Sequence, residues 1–271
     1  MPSILNNVAA LGASRQLSIT NRELERTIER LTTGRRINRA SDDAAGLGIS
    51  NKLGADIRIA AQGKRNANDG ISYLQVADGV LEEVTSLLTR AAELTEQAKT
   101  GTISNTNRVN IDAEFQNIIR SLVDIGQNTQ FNGQNIFGSA ATVSVGTFTA
   151  IGITVATIAS SGTNALGLEA NTTNLTTDVN ASLASPLIFD ALESVSNTRA
   201  SLGAAQQQLT AISNALGIQV ENFTSAYSQI RDANVADEIV NLTKFQILNQ
   251  SGTSALGQAN QAAQQILSLL R

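Results

Sequence analysis

The 271-residue chain has no cysteine, no histidine and no tryptophan, a single methionine and two prolines. Without Cys and His it cannot build Ser-His-Asp or Cys-His nucleophilic sites, Cys/His zinc sites, haem ligation through either residue, or iron–sulfur clusters. No disulfide is possible, so cysteine usage says nothing about redox compartment. Aromatic residues are sparse, two Tyr and seven Phe, which leaves Ala, Leu, Ile and Val to build any core. With proline confined to Pro2 and Pro186, helices can run long without interruption. Nor are basic residues massed on one segment: the net charge is -4 and Lys and Arg are scattered, so the basic face of a nucleic-acid binder is not expected. No apolar run approaches the roughly 18 residues of a membrane span. The N-terminal "MPSILNNVAALGASRQLSIT" lacks the basic start, continuous apolar stretch and small-residue cleavage site of a cleaved secretory signal. Neither nucleic acid nor membrane is an expected partner, and export would use another route.

What the chain does have is a heptad rhythm. Ile188, Leu192, Val195, Arg199, Leu202, Gln206, Leu209, Ser213, Leu216, Val220, Phe223, Tyr227 and Ile230 alternate steps of four and three, and ten of the thirteen are apolar. That spacing predicts a coiled-coil-like helix, roughly 64 Å long at about 1.5 Å per residue. Tyr73, Ala77, Val80, Val84, Leu87, Ala91, Leu94 and Ala98 form a second stripe, and Ile111, Phe115, Ile118, Leu122 and Ile125 a third. The polar "KTGTISNTNR" between them, with Gly101 as a C-cap, predicts an antiparallel hairpin of helices. Three helices would then share one elongated core.

Both ends keep the theme. Leu242, Phe245, Asn249, Gly252, Leu256, Ala259, Ala263, Ile266 and Leu270 hold the spacing through the tail; in the head Ile4, Val8 and Leu11 form a short stripe, and Leu17, Asn21, Leu24, Ile28 and Leu31 a second in shifted register. Neither end carries enough apolar area to stand alone in water, so each needs a partner.

From Gly138 to about Pro186 the character changes. "TVSVGTFTAIGITVATIAS" is rich in Val, Thr and Ile with partial alternation, and "NTTNLTTDVNASLAS" is polar and turn-prone. One or two short β-hairpins are expected here, as the only β region. The fold class predicted is mainly α, an elongated helical bundle or coiled coil with a small β-hairpin region. The expected segments are 1–40 and 232–271 as terminal coiled-coil segments, 41–137 and 188–231 as the rod, and 138–187 as a short β-rich insert.

In "RRINRASDDAAGLGIS" Ser41 is the expected N-cap, placing Asp42 and Asp43 in the first helical turn, where carboxylates oppose the macrodipole. Arg35, Arg36 and Arg39 lie upstream as a solvated or inter-subunit charge cluster. Gly46, Gly48, Gly54, Gly63, Gly70 and Gly79 follow within one helix. Each costs about 1 kcal/mol relative to Ala, a penalty that implies close neighbours, subunits among them. Asp42 and Asp43 do not read as a catalytic pair, because adjacent helical residues diverge by about 100° and no other acidic cluster accompanies them. No catalytic constellation is found, and no cofactor or metal is called for.

The blocks "TIERLTTGRRINRASDDAAGLGISNKL", "QGKRNANDGISYLQVADGVLEEV" and "NTQFNGQNIF", then "RASLGAAQQQLTAISNAL" and "ILNQSGTSALGQANQAAQQILSLLR", closely resemble bacterial flagellin. The likeness covers residues 1 to about 137 and about 188 to 271. It implies a structural, non-enzymatic subunit that is secreted and polymerises into the flagellar filament for motility. It also implies terminal segments paired around the filament's inner tube, a rod domain outside them, and a minimal form without large outer domains. Ile4, Val8, Leu11, Leu256, Ala259, Ala263, Ile266 and Leu270 would make the terminal coiled-coil and inter-subunit contacts. Partners implied are further copies of the chain, a flagellar export chaperone covering Leu242–Leu270, and the filament cap and hook–filament junction proteins. Toll-like receptor 5 would meet the rod at Arg90, Glu93, Leu94, Glu114 and Ile212, although Thr89 and Ala92 depart from the pattern of strongly recognised members. Rival readings are a hook–filament junction protein, a soluble coiled-coil adaptor, and a flagellin with a protease insert. The last needs a motif such as H-E-x-x-H, which a chain without His cannot carry.

Overall fold

The computed structural model of the protein describes residues 7–138, 140–155 and 173–269, with side chains as far as Ala262. Five helices and two hairpins follow in order among them: α1 (Val8–Thr33), α2 (Ala44–Lys99), α3 (Asn105–Asn128), β1 (Gln130–Phe131), β2 (Gln134–Asn135), β3 (Ala140–Val143), β4 (Ile151–Thr154), α4 (Asp178–Arg231) and α5 (Val235–Leu269). They form two compact units, one from Met1–Ile57 with Glu221–Arg271, the other Arg58–Val220. Helices α2 and α4 contribute to both.

The Arg58–Val220 unit holds the hydrophobic core. Here α2 runs antiparallel to α4: Ser213 Oγ donates to Asn68 Oδ1, Arg199 Nε to Asp78 Oδ1 and Ser185 Oγ to Glu96 Oε1. It also runs antiparallel to α3, since Arg90 reaches Glu114 and Arg108 reaches Ala98. The predicted seams are the buried ones, with Ala77, Val84, Ala91, Phe115, Ile118, Leu122, Val195, Leu202, Leu209 and Leu216 all under 9 % exposed. On α2 the buried stripe is wider than predicted, adding Leu74, Leu81 and Leu88, because a helix with neighbours on two sides buries more than one a/d seam. Arg199, polar at a seam position, is held by Asp78 at 2.8 Å with Glu82 at 3.8 Å.

Four local expectations change. Asp42 and Asp43 precede α2 and are not in its first turn; Asp43 Oδ1 accepts from Gly46 N at 2.8 Å and takes the capping role expected of Ser41. Gly101 is not a left-handed cap; the last carbonyls of α2 are met instead by Arg108 of α3, whose Nε donates to Ala98 O and Nη2 to Thr100 O. Helix α4 begins at Asp178 and carries Pro186 inside it. Thr177 Oγ1, accepting from Asn180 N, caps that start. Pro186 stands past the first turn of α4, where it removes the bond to the Ser182 carbonyl and its ring crowds that carbonyl, a local cost the surrounding packing must offset. Finally, the β structure begins before Gly138. β1 and β2 pair antiparallel around Asn132 and Gly133, both at positive φ (51° and 77°), the two-residue turn that Asn-Gly favours.

The β3–β4 hairpin pairs Ala140 with Thr154 through Val143 with Ile151 and buries Ile151 and Ile153. Its turn lies on α2: a Cβ at Gly63 would stand 2.9 Å from the Val145 carbonyl carbon, and one at Gly70 would stand 2.9 Å from Val143 Cγ2. Asn66 Nδ2 donates to Ser144 O at 2.7 Å. The close neighbours implied by Gly63 and Gly70 are therefore the chain's own hairpin, and Gly46 meets Asp43 and Ile37. Only Gly48 and Gly79 of that series have nothing within 4 Å.

The other unit pairs α1 antiparallel with α5. Asn7 Nδ2 donates to Ala259 O at 3.0 Å near one end, and Arg30 Nη1 donates to Glu238 Oε1 at 3.3 Å near the other. The connector after α1 crosses the α4–α5 turn, where Arg36 N donates to Arg231 O and Ala233 N to Gly34 O. Gly34, at φ 66°, ends α1 in the left-handed conformation this reversal requires.

Candidate assembly surface

The terminal pair carries apolar side chains both along its seam and on its outer face. On α5 the predicted stripe does face α1: Leu242, Phe245, Asn249, Gly252, Leu256 and Ala259 are all half-buried between more exposed neighbours. Gly252 lets Leu17 approach, its Cδ1 lying 3.2 Å from where a Cβ would be. Asn249 Nδ2 donates to Asn21 Oδ1.

On α1 the stripe is continuous and lies elsewhere than expected. Ala10, Ala13, Leu17, Thr20, Leu24, Thr27 and Leu31 keep three-four spacing, and Thr20 and Thr27 are its most buried members at 4 % and 3 %. The expected stripe of Leu17, Asn21, Leu24, Ile28 and Leu31 put Ile28 on the seam and, with the shorter stripe before it, split the helix into two registers. Ile28 is in fact 48 % exposed, and Val8 and Leu11 are 72 % and 73 % exposed. Val8 and Leu11 of the expected stripe therefore do not face α5; its remaining member Ile4 lies outside the described residues, as does Leu270, and the side chains of Ala263 and Ile266 are likewise outside them.

Among the described residues of this unit Ile37 is the only buried large hydrophobic side chain; the others buried are Gly46 and the polar Thr20, Thr27, Ser50 and Glu238. Val235, Ile239, Val240, Ile247 and Leu248 are exposed on α5, between 43 % and 67 %. A two-helix pair whose apolar seam side chains stay half-buried, with further apolar residues left on its outer face, removes little apolar area from water by its own contact, and hydrophobic stabilisation scales with that area. The arrangement leaves the rest of its apolar area facing outward.

Several charges near this surface have local partners. Arg39 pairs with Glu29 at 3.1 Å and Arg36 Nη2 donates to Ile230 O, so the expected arginine cluster does not converge on a common point. Asp42 Oδ2 accepts from Arg39 N and Asn38 N. The Arg39 amide bond holds its carboxyl below the usual range, against some desolvation and with help from Asn38, Arg30 and Arg26. Glu238 is 7 % exposed; one oxygen meets Arg30 and Oε2 has no hydrogen-bond partner.

The residues expected to meet an innate receptor lie in the other unit. Arg90 bonds Glu114 at 2.8 Å and Glu93 at 2.9 Å on the surface, and these bonds, Glu114 first, hold its guanidinium in the charged form. Leu94 is 2 % exposed and belongs to the core, which removes it from any surface contact; Ile212 packs against the core, partly buried. Sequence reasoning missed Arg108, Asp112 and Glu238. Asp112 Oδ1 accepts from Leu175 N at 2.7 Å and fixes the approach to α4. Nothing in a single sequence distinguishes such capping side chains from solvated ones. Among the described residues no cluster of three potential metal ligands occurs, and no helix is long and apolar enough to cross a membrane.

A helical core in one unit, and a terminal helix pair that leaves apolar side chains exposed in the other, define a mainly α protein with two small β hairpins among the described residues. Family comparison makes this specific. The model for the bacterial flagellin N-terminal helical region matches residues 4–142, and that for the C-terminal helical region matches residues 186–270. Flagellin FlaB2 of Treponema pallidum is 37 % identical over 284 residues, covering 99 % of both chains. Flagellin of Halalkalibacterium halodurans is 37 % identical over 275 residues with the same coverage. The flagellar filament 33 kDa core protein of Treponema phagedenis is also 37 % identical, over 285 residues. A crystal structure of Bacillus cereus flagellin aligns with TM-score 0.48 at 20 % identity, covering 56 % of this chain and 88 % of that one. The chain belongs to the bacterial flagellin family, and it is a structural subunit of the flagellar filament.

Proposed function

We propose that this subunit polymerises by burying the outer apolar residues of α1 and α5 against neighbouring copies. Segments 1–40 and 232–271 then line the inner tube, segments 41–137 and 188–231 form the wall around it, and 138–187 faces outward. The observation that carries the proposal is the exposed apolar outer face of the terminal pair. Val8, Leu11, Val240 and Ile247, each at least 59 % exposed, would each contribute about 1.5–3 kcal/mol on full burial. A heterologous contact of this kind does not close on itself and so propagates.

In the same reading Ile4, Val8 and Leu11 touch neighbouring copies, while Leu256 and Ala259 hold the pair within one chain and Ala263, Ile266 and Leu270 continue that stripe. The subunit is secreted unfolded through the flagellar type III route, for which a chain without disulfides is suited. An export chaperone covers the Leu242–Leu270 stripe before α1 can, and cap and junction proteins meet the finished subunit at the filament's ends. Recognition by Toll-like receptor 5 rests on the surface trio Arg90, Glu93 and Glu114, with Ile212 at its margin and Leu94 withdrawn. Purified monomer lacking Gln261–Arg271 should keep the helical circular dichroism of the Arg58–Val220 unit and form no sedimenting filaments. Normal filaments from that truncation would refute the role given to the tail.

A further inference from the structure

The Arg58–Val220 unit carries opposite charge at two separated places, each beside exposed apolar side chains. Because α2 and α4 are antiparallel, α2 residues near 64 lie beside Gly217, and α4 residues near 185 lie beside Glu96. Residues 58–65 of α2, "RIAAQGKR", contain Arg58, Lys64 and Arg65 and no acid. All three are exposed, and none has an ion pair among the described residues. Ile59, Ile218 and Phe148 are exposed in the same neighbourhood, at 46 %, 62 % and 41 %. The Gly146 turn next to Phe148 rests on Ile59 O, 3.2 Å from where a Cβ would be. Lys64 and Arg65 line an open groove with Gly217.

Residues 178–198 of α4 show the reverse sign. Asp178, Asp190 and Glu193 are their only charges; all are exposed and none is ion-paired among the described residues. Asp190 and Glu193 line a second groove with Thr154 and Asn197. Val179, Leu183 and Phe189, at 63 %, 67 % and 54 % exposure, stand on the same stretch of helix. The two places are roughly 40 Å apart along α2 at about 1.5 Å per residue, so they cannot meet within one unit.

We infer that the basic surface around Lys64 and Arg65 of one subunit docks on the acidic N-terminal stretch of α4, around Asp190 and Glu193, of a second copy. This deepens the filament reading and rests on it, since a helical polymer joins two different surfaces of the same chain head to tail. Complementary charge sets the register and rejects like-with-like pairing, while the exposed apolar side chains on both faces supply area to bury.

The test uses full-length monomer and charge reversal. Lys64→Glu with Arg65→Glu, and separately Asp190→Lys with Glu193→Lys, should each raise the critical concentration for polymerisation at low salt by about tenfold or more. An equimolar mixture of the two variants, or one chain carrying all four reversals, should recover most of the loss, and high salt should shrink the differences. Circular dichroism establishes that each variant is folded, and recovery in the mixture answers any residual folding defect. Wild-type-like polymerisation by both variants, or losses that neither the mixture nor the fourfold reversal recovers, would overturn the inference. Failure of the wild type to polymerise would instead strike at the filament reading itself.

Discussion

Substituting alanine for glycine at two positions of α2 should move stability in opposite directions. Both Gly63 and Gly79 lie inside the helix, and alanine at either removes about 0.8–1.0 kcal/mol of helix penalty. At Gly79 that is the whole effect, because nothing lies within 4 Å of the new methyl group and the residue is exposed. At Gly63 the methyl would stand 2.9 Å from Val145 C and 3.0 Å from both Val145 O and Gly146 N. These are backbone atoms of a hairpin turn that also holds Val145 at 0 % exposure, so relief requires the hairpin to lift off α2. Overpacking of this kind costs about 1–3 kcal/mol, which exceeds the propensity gain. Thermal unfolding of the monomer, followed by circular dichroism, should show Gly79→Ala melting about 2–4 °C higher and Gly63→Ala lower by a similar interval. Gly70→Ala should fall between them, since its nearest atoms are methyl groups of Val143 and Leu209 that can rotate. If Gly63→Ala stabilises as much as Gly79→Ala, the hairpin does not rest on α2 as described.

Arg108→Met should destabilise the Arg58–Val220 unit by about 2–3 kcal/mol in denaturant unfolding, because Ala98 O and Thr100 O lose charged donors next to the core; a loss within experimental error would refute the capping role. Val8→Ser with Leu11→Ser should leave the monomer's melting unchanged while abolishing sedimentable filament, and filaments at the wild-type critical concentration would count against the outer face as the assembly surface. Asp42, whose carboxyl is lowered chiefly by the Arg39 amide, stabilises the connector fully above the usual carboxylate value of about 3.9. That stabilisation is lost as pH falls through the lowered folded value. Amide exchange at Asn38 and Arg39 should therefore accelerate in acid in wild type and lose that dependence in Asp42→Asn; identical profiles would refute it. Dilute protease should cut the monomer first within α1 and α5 and leave Arg58–Val220 for last, and the reverse order would show that the terminal pair is stable by itself.

Heptad spacing identified the seams of α2, α3 and α4, because most residues that face a neighbour there are apolar and strictly periodic. Arg199 and Ser213 were placed correctly on the seam by spacing even though they are polar. On α1 the same rule placed Leu17, Leu24 and Leu31 on the seam but put exposed Ile28 there too and missed Thr20 and Thr27, which face α5 and are the most buried. Periodicity of hydrophobic residues reports the face that will be buried, whatever buries it, and on α1 that need not be the partner helix in its own chain. The Asn-Gly turn of β1–β2 and the Thr177 cap of α4 were legible locally, but stood inside stretches read for other reasons.

The order and type of the main elements, the absence of metal-thiolate and histidine chemistry, and the insufficiency of the chain's ends were settled by residue identity and spacing. Tertiary structure alone decided which neighbour each glycine accommodates, that Arg108 closes α2, that Leu94 is core, and that Val8 and Leu11 point outward. The reason is physical: periodicity is a property of one helix, whereas capping, close approach and the direction of an apolar face depend on what another segment of chain places opposite it.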